Sequence, residues 1–315
     1  MAGFWALLAA WVIWALDSSI VRWLGDVPSL VLAGITLTFG GLSTIGPGII
    51  ALRRSKVHIP GAYWLLFAFY VVFCTALADL CYVAAVKNLN PGLVSVTLRS
   101  QLVIAVLLGI WILQERISRL TLVGIVVIML GNILMGCYRC GAGRSAGQSA
   151  LLGWLLALLA MLLWSATPVI AKVLLRRFTP LALSGLRLTA AGVLLLLLSL
   201  LVDGPGCYRT LNARQWLLFV LKGCIISGGA FTLYFYGLQR VKVSVASALE
   251  QLAPILTFFY IWLFFRESIS LTEAAIVLLI LCGALLAIAG DYCRQRDNFS
   301  DHQSCSSPKP SKQRK

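Results

Sequence analysis

Residues 114–135 read QERISRLTLVGIVVIMLGNILM, and residues 266–288 read RESISLTEAAIVLLILCGALLAI. Glu115 and Glu267, Ile117 and Ile269, Ser118 and Ser270, and Gly131 and Gly283 all stand 152 positions apart. The same offset pairs Ser95 with Ser247, Tyr82 with Tyr234 and Pro28 with Pro180. A match this extended covers most of each half, so the chain is one unit duplicated.

The unit is built for lipid. Of its 315 residues, 60% are hydrophobic and 12% charged, and the mean hydropathy is +0.92. Soluble domains carry about 25% charged residues, so this chain has too little polar side chain to cover a water-facing surface. A helix needs about 20 apolar residues to cross about 30 Å of hydrocarbon. Ten such runs occur, at about 4–23, 29–52, 62–86, 91–113, 120–137, 151–173, 181–202, 215–238, 243–265 and 272–290. They are continuous rather than alternating, which excludes the strands of a membrane barrel. The expected fold is all-α, a polytopic membrane protein of ten transmembrane helices. It divides into a first repeat at 4–137, a linker at 138–150, a second repeat at 151–290 and a disordered basic cytoplasmic tail at 291–315. The first run lacks a basic start, contains Asp17 and is a full span long, so it reads as a retained helix rather than a signal peptide.

Lys and Arg set the orientation. Sixteen fall on the side shared by both termini and the even-numbered connections, against seven on the other side. Both termini are therefore expected in the cytoplasm. The net charge of +15 is accounted for by loops facing an anionic leaflet, without any nucleic-acid partner.

Five spans per half is an odd number. The second half must then enter the membrane from the opposite face, which makes the two repeats inverted. Inverted repeats are the architecture of alternating-access carriers, with substrate held near the midplane between them.

On these residues the chain resembles the ten-helix EamA type of the drug/metabolite transporter superfamily. The stretches Glu115 to Gly131 and Glu267 to Gly283 carry the likeness, with Trp14 and Trp164 in the opening helix of each half and FTPLALSGLRLTAAGVLLL at 178–196. The resemblance implies a secondary transporter of small metabolites in a bacterial inner membrane, monomeric or homodimeric, with the lipid bilayer around it. A proton or a counter-substrate would be its coupling partner. One departure stands out: the family's arginine in the second helix of a repeat is present as Arg187, but the matching position of the first half is Ile35.

Ionisable residues inside spans are the candidate site, because a charge at the bilayer centre costs at least about 2.5 kcal/mol and persists only when paired, hydrated or used. They are Asp17, Asp79, Arg99, Arg187, Lys222 and Glu250. Counting along straight helices puts Asp17, Asp79, Arg99 and Lys222 in one outer layer, and Arg187 with Glu250 in an inner one. Asp79 with Arg99 and Arg187 with Glu250 serve either as interhelical ion pairs or as substrate and proton sites. The acidic members suit proton coupling and the basic members an anionic group on the substrate. Trp14 and Trp164 lie mid-helix and correspond across the repeat, so they join the candidate lining. Tyr70, Tyr82, Tyr234, Tyr236 and Tyr260 read as interface anchors.

No catalytic signature appears. There is no glycine-rich phosphate loop, no Gly-x-Ser-x-Gly turn and no His in a span. The nine cysteines do not make a metal module, although Cys137, Cys140 and Cys207 fall on one side and leave a disulfide open. No cofactor is expected. A passive facilitator or channel is the alternative to a carrier, with a membrane receptor or enzyme further off.

Overall fold

A computed structural model describes residues 2–88, 94, 97–98, 100–115, 117–140, 150–250, 253–266 and 270–306. The first half holds α1 (Ala2–Ala15 and Asp17–Leu24, broken at Leu16), α2 (Ser29–Ser55), α3 (Gly61–Val71, a π turn over Val72–Leu77, then Ala78–Asn88), α4 (Gln101–Leu113) and α5 (Arg119–Cys140). The second half holds α6 (Ala150–Leu174), α7 (Pro180–Val202), α8 (Ala213–Leu221, a π turn over Lys222–Gly229, then Ala230–Leu238), α9 (Val243–Glu250 and Ala253–Phe265) and α10 (Leu271–Ser306). Among the described residues, seven stretches are long and apolar enough to cross a membrane, and Gln101–Leu113 and Arg119–Met135 are shorter apolar helices. The chain is an all-α polytopic membrane protein of about ten helices, as the sequence predicts.

Two boundaries differ from the sequence reading. α10 runs on to Ser306, where a disordered tail is expected from 291. After Gly290 no Gly or Pro occurs before Pro308, so nothing interrupts the backbone ladder and the helix continues past the apolar run. α5 likewise extends to Cys140, shortening the expected linker; residues 141–149 lie outside the described ones.

Lipid tails are as apolar as leucine, so helices in a bilayer associate through close backbone packing rather than through the hydrophobic effect. α2 and α7 show how. A Cβ added at Gly34 would meet Leu196, at Gly41 the backbone of Thr189, and at Gly48 the backbone of Leu181 and Ala182. From the other side, a Cβ at Gly185 would come within 2.6 Å of Ile45 Cα, and one at Gly192 within 2.5 Å of Thr38 N. Only hydrogen fits at these positions. Thr36, Thr38 and Thr44 turn their hydroxyls back onto carbonyls of their own helix, whereas on α7 the buried hydroxyls of Ser184 and Thr189 have no hydrogen-bond partner among the described residues.

The pairing also fixes the symmetry. Along α2 the contacts climb by seven, from Gly34 to Gly41 to Gly48, while along α7 they fall by seven, from Leu196 to Thr189 to Ala182. The two helices run antiparallel. Because they occupy equivalent places in the two repeats, a pseudo-two-fold axis crosses between them and the repeats are inverted. α5 and α10 repeat the arrangement: Gly124 faces Ala287, Gly131 faces Ile280, and Gly290 faces Thr121. Two further pairs of contacts exchange under the same operation, α1 on α8 with α3 on α6, and α4 on α6 with α1 on α9.

Replacing Gly192 by Leu should destabilise the detergent-solubilised protein by about 1–3 kcal/mol or more through overpacking. Gly46→Ala on α2, with open space where its Cβ would stand, should leave the thermal transition within error of wild type.

Candidate functional site

Each repeat widens one helix at the same place. The π turn of α3 starts at Val72, and 152 positions on lies Cys224, inside the π turn of α8. A π turn lengthens the hydrogen-bonded loop to five residues and changes which way the following side chains face; such turns concentrate at functional sites. In α3, Thr75 Oγ1 donates to Tyr70 O, five residues back, at 3.2 Å. In α8, Ile226 O accepts a hydrogen bond from the Trp14 indole at 3.0 Å.

Between the two widened helices lies a cavity of about 590 Å³, within the range of small-molecule sites. Both repeats line it. Trp11, Trp14, Asp79, Tyr82 and Gln101 come from the first, and Trp164, Arg187, Phe231, Tyr234 and Glu250 from the second. The aromatic walls follow the symmetry. Trp14 packs on Tyr234 with ring centroids 5.3 Å apart, and its counterpart Trp164 packs on Tyr82 at the same 5.3 Å. Phe231 adds a third ring against Trp14 at 4.7 Å.

The charges do not follow the symmetry. Arg187 is 6% exposed, and its Nε donates to Thr75 Oγ1 at 3.1 Å. The guanidinium sits over the rings of Phe231 at 4.6 Å and Tyr70 at 4.8 Å. Among the described residues it forms no ion pair, and its buried Nη1 has no hydrogen-bond partner. One edge of a desolvated fork is thus held by Thr75 and stacked between rings, while the other edge keeps donors for an anion. Across the repeat, Arg187 is replaced by Ile35, and Asp79 matches Phe231, so neither charge is repeated at its counterpart position. Glu250 accepts from Gln101 Nε2 at 2.8 Å.

Of the residues singled out in the sequence, Asp79, Arg187, Glu250, Trp14 and Trp164 come together in this cavity. The two expected layers do not survive, since Arg187 and Glu250 share the chamber with Asp79. The π turns and the break in α1 make counting from straight helix ends unreliable. Asp17 and Lys222 leave the cavity and pair with each other, joining α1 to the start of the π turn in α8. Arg99 lies outside the described residues. Tyr82 and Tyr234, expected as interface anchors, are cavity walls instead. Their match across the repeat is the signal that marks them, and Trp11, Thr75 and Gln101 carried no signal at all. Cys137 and Cys207 are free thiols; the Cys140 side chain lies outside the described residues.

Residues 1–137 and 151–289 each match the EamA-like transporter family. The chain belongs to the EamA-like transporter family. It is 24% identical to the uncharacterized transporter YoaV of Bacillus subtilis, over 83% of this chain and 87% of that one. Against a probable amino-acid metabolite efflux pump of Salmonella typhimurium it is 24% identical, over 95% and 98% of the two chains. The riboflavin transporter ImpX of Fusobacterium nucleatum matches at 26% identity over 69% of this chain and 74% of the relative. A protein of known crystal structure shares the fold with a TM-score of 0.77, at 21% identity over 92% of this chain and 98% of that chain. This EamA protein is thus a membrane transporter and not an enzyme.

Thr75→Val keeps the shape of the π turn but strips Arg187 Nε of its acceptor. The buried donor should then cost about 1–3 kcal/mol, read as a lowered denaturation midpoint. Thr167→Val, on the same cavity but bonded only within its own helix, should be close to neutral.

Proposed function

We propose that this EamA transporter is a secondary-active carrier that moves a small metabolite with an anionic group by alternating access through the central cavity. The observation that carries the reading is Arg187, a buried cation with donors facing a chamber between inverted repeats. A guanidinium in a bilayer is retained when it is used, and here the protein supplies rings and a hydroxyl but no carboxylate in contact among the described residues. The Trp14 and Trp164 walls offer flat apolar faces to the rest of the cargo. Relatives named for amino-acid metabolites and for riboflavin support a small-molecule substrate. Asp79 and Glu250 are the groups able to carry a proton across with it. The excess of basic residues on one side supports a cytoplasmic position for both termini.

The test is reconstitution in liposomes with a panel of metabolites. A ligand present at 100 times its Kd stabilises the folded protein by about 2.7 kcal/mol, so thermal shifts identify cargo before flux is measured. Arg187→Lys keeps the charge but loses the fork, and should weaken stabilisation by anionic cargo at normal membrane abundance. Flux through the wild type should respond to an imposed pH gradient, and Glu250→Gln, which cannot titrate, should remove that response. A pH response unchanged in the variant rules out Glu250 as the coupling group, and a wild type indifferent to every gradient is a facilitator.

A further inference from the structure

At the end of the bundle where α4 and α6 finish and α9 begins, one ion pair joins the two repeats. Lys172 Nζ donates to Glu115 Oε1 at 2.6 Å and to Val241 O at 2.6 Å. Both oxygens of Glu115 accept the Val243 N–H, at 3.0 and 2.9 Å, at the first residue of α9. Glu115 is thus bound at once to a cation on α6 and to a free amide at a helix N-terminus, where a carboxylate is favoured. The side chains are 9% and 21% exposed, Glu115 the more buried.

The backbone is shaped for this contact. Gln114 ends α4 in the left-handed region at φ 55° and turns Glu115 back under the bundle. Arg266, 152 positions on, has φ 56°, so the turn is a feature of the repeat unit. The sequence also repeats the partners. Arg22 follows Trp14 by eight residues as Lys172 follows Trp164, and Glu267 matches Glu115; the side chains of Arg22 and Glu267 lie outside the described residues.

Apolar packing continues from the pair toward the cavity. Leu7, Leu174, Phe178, Leu183, Leu238 and Val243 are at most 2% exposed and form one cluster with Trp11 and Tyr234 of the cavity wall. Cargo leaving by this end would have to part α4 from α6 and α9, and so break the ion pair. A buried ion pair adds little net stability, but it forms in only one arrangement of its partners.

Resting on the carrier reading above, we infer that Glu115 and Lys172, closed on the amino end of α9, are the gate at this end of the transport path. The pair holds the first repeat to the second in the closed-end state and is broken in the alternate one. Neither residue touches the cavity, so each acts on transport by biasing conformation rather than by binding cargo.

Hydrogen exchange on the full chain in lipid nanodiscs tests this without knowledge of the cargo. In Lys172→Met, amides in residues 4–10, 171–183 and 236–246 should exchange about tenfold faster, the scale of a modest shift between two states. Exchange in residues 78–86 and 205–214, at the opposite end, should slow. A variant that is merely destabilised speeds exchange at both ends, and that result overturns the proposal, as does wild-type exchange at the gated end. Glu115→Gln keeps an acceptor for the Val243 amide and loses the charge, so it should show the same opposed pattern more weakly; it carries the test if Lys172→Met does not fold. Flux through wild-type liposomes is measured alongside. Saturable, gradient-coupled flux with unopposed exchange sinks the gate alone, whereas opposed exchange without such flux sinks the carrier reading instead.

Discussion

The seam between α2 and α7 is the constraint on which the rest depends. Two equivalent helices of a duplicated chain meet backbone to backbone, glycine against residue, from Gly34 to Gly48 on one and from Leu196 to Ala182 on the other. Because nothing larger than hydrogen fits at Gly41 or Gly192, the pair has one depth and one register. That register puts the pseudo-two-fold axis in the membrane plane, and the axis places every other helix. α5 against α10 is the second such seam, so the inverted units are pinned at two places while the cavity forms among α1, α3, α4, α6, α8 and α9, with Leu37 of α2 and Arg187 of α7 reaching into it from the first seam.

Within that frame the walls of the cavity obey the duplication and its charges do not. Trp14 with Tyr234 and Trp164 with Tyr82 are the same contact made twice. Arg187, Asp79 and Glu250 have Ile35, Phe231 and Leu98 as their counterparts. In the proposed carrier, symmetric rings would leave a chamber that works in either orientation of the rocking units, whereas a unique cation would give cargo one end to hold. The two π turns link these features. One anchors Arg187 through Thr75 and the other anchors Trp14 through a freed carbonyl.

Much of this was legible in the residues. The offset of 152 and the apolar runs give the class, the repeat and the inversion, because composition, span length and parity are properties a sequence carries directly. Trp14, Trp164, Asp79, Arg187 and Glu250 were visible as polar or bulky groups where lipid would exclude them. A tyrosine near a helix end suits an interface as well as a cavity unless its azimuth is known, so Tyr82 and Tyr234 read as anchors from the sequence alone, and the π turns that set the azimuth leave no periodic trace. The layering of charges failed for the same reason. Glu115 is marked in the sequence by its repeat at Glu267, but its contact with Lys172, 57 residues away, depends on packing that no local pattern encodes.

In the proposed carrier, two inverted units rock about their shared seams so that the ends of the path open in turn. Spin-label distances can follow this motion, with one pair at Gln114 and Arg240 on the ion-paired end and another at Asp26 and Arg266 on the opposite end. Rocking should give opposed changes on adding a stabilising ligand or shifting pH, with one pair lengthening as the other shortens. Distances that stay fixed at both ends, or that lengthen together, would contradict it.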